Sequence, residues 1–423
     1  MEIKGCDSFQ EAERKRLTRR TFVAGGLVTA ALWATSKTAL AQTLFRENGN
    51  VVVVIFLRGG ADGLNVIAPY AEDAYYRLRP SLAIPAPGSG NGSLIKLDDT
   101  FAFNPFLAPL HPLYDDGVLG VVHAAGSHDT THSHFEAMSA MERGANSDRD
   151  SQNGGWLARH LSATTKEAAP MRAVAFTPTM PESLSGATQA IAIESLADYR
   201  IDVPKDKSAQ VEAALADLYK RDNDVFAEAG RNTLHAVRAL RDYDPKKSAP
   251  EHGAAYPDSS LGNALAQVAY LVRKDVGLEV ACLDAADRGG WDTHVAQAVR
   301  LDPLLDDLGK SLAAFHQDLG KEMSRVTVVV QTEFGRRVAE NTGYGTDHGA
   351  GSFMLAMGGG VKGGRVVTDW PGLEDDSLSG PGDLKVTTDY RNVMAEMLET
   401  RLGNNVVHQV FPDLQRKSVG LFV

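Results

Sequence analysis

Cysteine is nearly absent from this 423-residue chain, which contains only Cys6 and Cys282. Cys6 lies in an N-terminal segment that we expect to be removed, so that one cysteine would remain and no internal disulfide could form. Stability must then come from a hydrophobic core, and a chain that is 43% hydrophobic can build a large one. Cys282 ends an apolar run and is predicted to be a small buried residue.

An excess of positive charge and long apolar segments are also lacking. The formal net charge is −11, and residues 1–41 contribute +3 through seven basic and four acidic residues, which leaves about −14 for the rest. Such a chain does not attract nucleic acid or anionic lipid through its overall field. After residue 41 no segment is apolar enough to span a bilayer. We therefore expect neither a nucleic-acid partner nor a transmembrane segment.

Three common motifs of catalytic α/β proteins are missing as well. The stretch "MGGGVKGG" at 357–364 lacks the lysine-serine ending of a phosphate-binding loop. The stretch "RGGADG" at 58–63 lacks the glycine spacing of a dinucleotide-binding turn. No G-x-S-x-G elbow occurs, which argues against an α/β-hydrolase.

The N-terminus carries the features of an export signal. A basic start precedes an apolar run and the small residues "ALA" at 39–41, and "TRRTFV" at 18–23 contains paired arginines. The apolar run is too short and too rich in Gly, Ala and Thr for a membrane helix. We expect a twin-arginine signal at 1–41, one domain at 42–423 and a periplasmic or extracellular location. This route carries folded proteins that often already hold a cofactor.

Strands alternate with helices along the rest of the chain. "NVVVVIFL" at 50–57 is a continuous β-branched run, which is typical of a strand buried on both faces. Similar runs are found at 117–126, 172–177, 277–284, 325–335 and 352–360. The pattern predicts an α/β fold with a central, mostly parallel sheet and helices on both faces.

Acidic and imidazole side chains follow these strands. Because the carboxyl ends of parallel strands share one edge of the sheet, we expect the side chains to converge there. Carboxylate and imidazole together suit a divalent ion such as zinc, manganese, calcium or magnesium. The candidate ligands for one or two such ions are Asp62, Asp292, His294, Glu333, Asp347 and His348.

Each candidate ligand also has an ordinary structural interpretation. Asp292 could cap a helix, and Asp62 could be a turn residue beside glycine. Glu333 could pair with Arg336 or Arg337. The metal hypothesis therefore depends on the shared position of these residues after strands.

Ser133, in "THSHF", lies at an expected helix start, where backbone N–H groups favour anions. A metal could lower the pKa of its hydroxyl and make it a nucleophile, or Ser133 could simply cap the helix. If the segment is extended, only one of the flanking His132 and His134 can point inward. Arg58 could bind a phosphate or sulfate with two N–H groups, or form a salt bridge.

Several blocks of the sequence together resemble a known family. They include "FLRGGADGLNVIAPY", "LAPLHPLYDDGVLGVVHAAGS", "SHFEAMSAMERG", "WDTH", "EFGRRVAENTGYGTDHG" and "TTDYRNVMAEML". They are similar to exported bacterial proteins called domain of unknown function 1501, which are grouped with the alkaline phosphatase and sulfatase superfamily. The resemblance implies an alkaline phosphatase-like α/β fold that hydrolyses phosphate or sulfate esters at a metal centre.

The resemblance also implies roles for individual residues. Asp62 would be the acidic ligand after the first strand, Ser133 or else Thr131 the nucleophile, and Glu333 the late acidic ligand. Asp292 with His294, and finally His348, would complete the ligand set. Two departures are present: Asp292 and His294 lie two residues apart rather than four, and Glu333-Phe334 stands where the superfamily has an Asp-His pair.

Three functional hypotheses follow. The first is an exported metal-dependent hydrolase that acts on a small anionic ester with Ser133 as nucleophile. The second is a non-catalytic exported protein that keeps the fold as a binding or assembly partner of another protein. The third is a metal-bound mutase or transferase on the same fold.

Overall fold

The structure is a computed structural model that describes residues 49–146, 153–164, 171–220, 225–241, 243–244, 248–286 and 289–423. The expected signal at 1–41 and Cys6 lie outside these residues, so export stays a prediction. In the described part of the chain no helix is both long enough and apolar enough to cross a membrane.

Twelve strands and eleven α-helices are present in the described residues. The strands are β1 (Val51–Leu57), β2 (Ile67–Ala68), β3 (Ile95–Lys96), β4 (Ala102–Phe103), β5 (Leu119–Gly126), β6 (Ala173–Phe176), β7 (Ala190–Ala192), β8 (Val280–Ala285), β9 (Val326–Gln331), β10 (Ser352–Gly358), β11 (Val366–Val367) and β12 (Thr388–Asp389). The helices are α1 (Gly63–Val66), α2 (Asp73–Leu78), α3 (His111–Asp115), α4 (His134–Arg143), α5 (Trp156–Ala163), α6 (Lys205–Tyr219), α7 (Val225–Leu240), α8 (Ser260–Lys274), α9 (Gln297–Leu319), α10 (Tyr390–Leu402) and α11 (Val407–Val410).

Nine strands form the central sheet in the order β11-β5-β10-β9-β1-β8-β6-β7, with β12 also paired to β5. The short strands β2, β4 and β3 form a separate sheet. Among the pairings between described strands of the central sheet, those of β10 with β9 and β5 are antiparallel and the others are parallel. The expected mostly parallel sheet is confirmed.

Both faces of β1 are buried, as its continuous apolar run predicts. Val53 and Ile55 lie in one hydrophobic core with residues of α8 and α9. Val52 and Val54 lie in the other core with residues of α5, α10 and α11. Successive side chains of a strand point to opposite faces, so helices cover the sheet on both sides. Cys282 is buried within β8, as expected.

Helix ends follow the local sequence signals. Ser259 precedes α8 and accepts a hydrogen bond from the backbone N–H of Gly262 at 3.0 Å. Asp389 caps α10 by accepting from the N–H of Arg391 at 2.9 Å. α10 ends at Leu402 and is followed by Gly403, which adopts a φ of +64° without the steric cost of a Cβ.

The reversed strand β10 has a consequence for the edge of the sheet. Residues 332–351, which connect β9 to β10, are all described and contain no helix. If β10 were parallel to β9, the connection would have to cross to the opposite edge of the sheet. Because β10 is antiparallel, the connection stays at the edge where β9 ends. Arg336 and His348 face each other there in an isolated antiparallel bridge. The whole segment therefore stays beside the ends of β1, β5 and β8.

A buried carboxylate on α10 holds the end of the chain. Glu396 accepts hydrogen bonds from the N–H groups of Val419, Gly420, Leu421 and Phe422 at 2.7–3.1 Å. Burial alone would raise the pKa of Glu396, but these hydrogen bonds outweigh burial and lower the pKa to about 2.

We expect Glu396→Gln to flatten the dependence of stability on pH. A carboxyl with a lowered pKa stabilises the fold fully above its unfolded value of 4.5, and loses this contribution as pH falls toward about 2. Denaturant unfolding between pH 6 and pH 3 measures the slope. The control is Glu399→Gln on the same helix, whose carboxylate pairs with Arg416 nearer the surface. Equal slopes for wild type and Glu396→Gln would contradict this account.

Candidate metal centre

Three imidazoles and one carboxylate meet at the edge of the sheet. His134 begins α4, Asp292 and His294 lie in the loop after β8, and His348 precedes β10. The Oδ1 atom of Asp292 lies 3.1, 3.3 and 3.5 Å from the Nε2 atoms of His294, His348 and His134. The Nε2 atoms of His294 and His348 are 2.9 Å apart. Ligand atoms of His134, Asp292 and His348 lie within 4.8 Å of one another, which is close enough for one ion.

Each of the three rings is oriented by an oxygen at its other nitrogen. The Nδ1 contacts are His134 to Oε1 of Glu333 at 2.8 Å, His294 to Oδ1 of Asp347 at 3.2 Å, and His348 to the carbonyl of His132 at 2.7 Å. A carboxylate or carbonyl oxygen only accepts, so Nδ1 donates and Nε2 of a neutral ring keeps its lone pair. Metal-binding histidines in proteins are held in this way.

The Nε2 atom of His134 is buried and has no hydrogen-bond partner in the described part of the chain. Leaving a buried polar atom without a partner costs free energy, so such an atom in a cluster of ligand groups fits a bound ion. The ring of His134 stacks on Phe334 with centroids 4.9 Å apart and meets the ring of His348 edge-on at 4.3 Å. Packing thus fixes the ring while its Nε2 atom makes no hydrogen bond to a described residue.

The charges of the cluster are set by burial and by neighbouring groups. Burial opposes the charged form of Asp292, but Arg336 outweighs it and the pKa of Asp292 falls to about 2. Burial also opposes charge on His134, yet its hydrogen bond to Glu333 raises the pKa of that ring. Burial lowers the pKa of His348. An ion would therefore meet an ionised carboxylate and a neutral His348, and would compete with a proton on His134.

Close backbone packing shapes the loop "GGWDTH". Gly59 has a φ of +124°, and a Cβ there would lie 2.6 Å from the backbone nitrogen of Asp292. Trp291 is buried, and its indole N–H donates to the carbonyl of Ala285 at 2.7 Å. Its backbone N–H donates to the carbonyl of Arg58 at 3.0 Å. The loop after β8 is thus fixed against the loop after β1.

Arg336 joins several loops at this edge. Its buried guanidinium donates to the carbonyls of Gly60 at 2.6 Å, Gly59 at 2.5 Å and Thr346 at 2.9 Å. It also donates to Oδ1 of Asp292 at 2.7 Å. One charged group therefore holds the segments after β1 and β8 and before β10 in a fixed relation.

Asp62 does not join the cluster. Its two carboxylate oxygens accept from Arg79 at 2.6 and 3.0 Å, and both side chains are fully buried. Gln297 donates to the same carboxylate at 2.5 Å and accepts from the hydroxyls of Thr293 and Thr346. The structure therefore places Asp62 in a buried ion pair that supports the neighbouring loops rather than among the candidate ligands.

Glu333 and Asp347 lie behind the rings instead of beside Asp292. Glu333 accepts from His134 and from the backbone N–H of Gly59 at 2.8 Å. Asp347 accepts from His294 and from Asn341 at 2.9 Å. The alternative in which Glu333 pairs with Arg336 is not seen among its contacts with described residues.

Ser133 occupies the N-cap position of α4, but among the described residues its hydroxyl makes no capping hydrogen bond. Ser133 is half-buried and directly precedes His134 in the chain. Arg58 forms ion pairs with Glu142 at 2.6 Å and Asp284 at 2.7 Å. Although burial would lower the pKa of Arg58, these two carboxylates raise it. The salt-bridge interpretation therefore describes Arg58 better than an anion clamp does.

Sequence reasoning missed His134 as a candidate ligand and Arg336 as the partner of Asp292. The sequence contains a signal for His134, because an extended segment allows one of the two histidines that flank Ser133 to point inward. His134 brings a third imidazole beside Glu333 and Phe334, and it contacts both of those residues.

A model of the family described as "Protein of unknown function (DUF1501)" matches residues 120–411, more than half of the sequence. The chain belongs to this family. The membership confirms the resemblance found in the sequence blocks. Among curated proteins no match is found.

Solved structures of three hydrolases or related enzymes show a weak likeness. The alkaline phosphatase from the Antarctic bacterium TAB5 is 12% identical with a TM-score of 0.30, over 75% of this chain and 94% of that one. The lipoteichoic acid synthase LtaP from Listeria monocytogenes is 9% identical with a TM-score of 0.27, over 82% and 73%. BT1596, a 2-O GAG sulfatase, is 13% identical with a TM-score of 0.31, over 88% and 76%. At these TM-scores the likeness supports no functional argument.

We expect His134→Gln to lower zinc affinity by at least about 10-fold, because it removes a nitrogen that the cluster holds ready for an ion. Competition with a chromophoric chelator measures the affinity. The matched control is His408→Gln, since His408 is exposed on the short helix α11. If both variants bind zinc as the wild type does, His134 is not a ligand.

Asp62→Asn is expected to destabilise the protein by about 3–5 kcal/mol, because Arg79 would keep a buried charge without its counter-charge. Zinc stoichiometry should stay unchanged. Denaturant unfolding and elemental analysis provide the two readouts. Asp99→Asn is the control for stability, since Asp99 pairs with Lys96 at the surface. Loss of zinc from a folded Asp62→Asn protein would contradict the expectation that the Asp62 ion pair is separate from metal binding.

Proposed function

We propose that this protein is an exported, metal-dependent hydrolase of phosphate or sulfate esters. One observation carries the proposal: three imidazoles, each oriented by an oxygen at Nδ1, direct Nε2 toward one carboxylate oxygen. Packing alone does not require this arrangement. Within the described residues, the buried Nε2 atom of His134 has no hydrogen-bond partner, although Oδ1 of Asp292 lies 3.5 Å away.

The donor set indicates the kind of ion. Three nitrogens and one oxygen suit zinc or a similar borderline ion better than magnesium or calcium, which prefer oxygen ligands. His134, His294, His348 and Asp292 would hold it. When bound, such an ion supplies positive charge that activates a nearby hydroxyl and offsets charge on the ester oxygens. Because Glu333 and Asp347 are already engaged by the rings, we propose one ion rather than two.

Ser133 is the proposed nucleophile. Its hydroxyl is free of a capping bond to the described residues and lies at the start of the ten-residue helix α4. The N–H groups of that first turn favour an anion such as a phosphate or sulfate group. Attack by the Ser133 oxygen would transfer this group to the serine and release the alcohol, after which water would free the serine.

The residues behind the centre have positioning roles in this proposal. Glu333 and Asp347 hold the rings of His134 and His294, while Arg336 fixes Asp292 and is too deeply buried to reach a substrate. The signal at 1–41 would deliver the folded protein to the periplasm or the exterior by the twin-arginine route. Because folding precedes export on this route, it suits an enzyme that acquires its ion while it folds inside the cell.

The first test is elemental analysis of the mature protein, residues 42–423, after export by its own signal. We expect about one equivalent of zinc or a similar ion, followed by hydrolysis of an aryl phosphate or an aryl sulfate. Less than about a tenth of an equivalent, persisting after metal is added back, would contradict the proposal and favour the non-catalytic binding partner. Transfer of the group to an added alcohol instead of water would identify a transferase.

We expect Ser133→Ala to reduce kcat by at least about 100-fold while the metal content stays the same, because the variant removes the nucleophile and none of the ligands. The matched control is Ser139→Ala, which removes a half-buried hydroxyl from the same helix. Activity of the Ser133→Ala protein at the wild-type level would remove Ser133 from the mechanism.

A further inference from the structure

The oxygen that orients His348 comes from a residue with an unfavourable backbone conformation. His132 has a φ of +53°, and its carbonyl accepts the Nδ1–H of His348 at 2.7 Å. The left-handed region costs a non-glycine residue about 1 kcal/mol or more, so contacts elsewhere must hold His132 there. Rotation of His132 to an ordinary φ would turn its carbonyl away from His348.

The side chain of His132 is held by Asp383. The Nε2–H of the ring donates to Oδ2 of Asp383 at 2.9 Å, and the side chain of Asp383 is 4% exposed. The backbone around Asp383 is also fixed. Asp383 exchanges two backbone hydrogen bonds with Ser379 at 2.8 and 2.9 Å, and Val338 donates to the carbonyl of Gly382 at 3.0 Å. Asp383 is therefore a firm attachment point for the loop that precedes α4.

We propose that Asp383, acting through His132, is a positioning residue for His348 in the metal centre. The carboxylate holds the ring of His132, and this keeps the carbonyl of His132 directed at Nδ1 of His348. The carbonyl in turn selects the His348 tautomer whose Nε2 lone pair faces Asp292. The inference rests on the proposed function, because it assigns a role within that centre.

A direct role for Asp383 as a second cation site fits the structure less well. Its Oδ1 atom is buried and has no hydrogen-bond partner among the described residues, but Nε of Arg337 lies only 4.0 Å away. The charge of this guanidinium opposes a bound cation there. Asp383 therefore acts on the metal centre through its hydrogen bond with His132.

The first experiment uses metal-stripped full-length protein labelled with ¹⁵N-histidine, with His348→Gln to assign the signal of His348. We expect the wild type to show one His348 tautomer, protonated at Nδ1. Asp383→Ala and His132→Ala should give a mixture of tautomers or rapid exchange of the Nδ1 proton. Asp383→Asn should keep the wild-type signal, because its amide oxygen still accepts from His132. An unchanged signal in both alanine variants would overturn the inference.

The second experiment measures zinc affinity by chelator competition. Asp383→Ala should weaken zinc binding by about 10–100-fold, the usual effect of losing a group that orients a ligand. Adding His132→Gly should recover most of the loss, because glycine adopts a φ near +53° without a clamp. No loss in Asp383→Ala, or no recovery in the double variant, would contradict the inference. His128→Ala, an exposed change in the same loop, is the control.

The two experiments separate this inference from the proposed function. A wild type that binds no zinc, but whose His348 tautomer depends on Asp383, would overturn the metal centre and support the positioning role. A wild type that binds zinc equally well without Asp383 would keep the metal centre and overturn the positioning role. Circular dichroism shows which variants fold. If Asp383→Ala does not fold, His132→Ala replaces it in both experiments.

Discussion

The buried guanidinium of Arg336 is the constraint on which the candidate centre depends. A charge removed from water must find acceptors for all of its N–H groups, and the loops after β1 and β8 and before β10 supply them as backbone carbonyls. Asp292 supplies the counter-charge at 2.7 Å. Because the donors form a rigid planar fork, Arg336 holds these loops in a fixed relation to one another and to Asp292, around which the imidazoles lie.

The acidic residues around Arg336 have different structural roles. Of the candidate ligands among the described residues, Asp292 is the carboxylate that faces the Nε2 atoms, while Glu333 and Asp347 each accept from Nδ1 of a ring. Asp62 lies deeper, where its pair with Arg79 anchors Gln297 and through it the threonines of two loops. The acidic residues that lie farther from the Nε2 atoms therefore support the ligands or the loops instead of facing the candidate ion site.

Much of the fold could be predicted because apolar runs report burial directly. The run at β1 has no polar side, and both of its faces are indeed covered. The reversal of β10 was harder to foresee, although its cause lies in the sequence. Residues 332–351 are too rich in glycine and polar residues to form a crossover helix, so the chain returns at the same edge. That return puts Glu333, Arg336 and His348 on one loop.

The sequence by itself determined the fold class, the family and the edge of the sheet where Asp292, His294 and His348 lie. These depend on local patterns, namely apolar periodicity and the position of polar residues after strands. Only the tertiary structure decided which of the candidates touch. Asp62 meets Arg79 and Glu333 meets His134 across 17 and 199 residues of chain, and no local pattern encodes such pairs. A carboxylate takes whichever cation or donor the folded chain brings nearest, so its role is settled by packing.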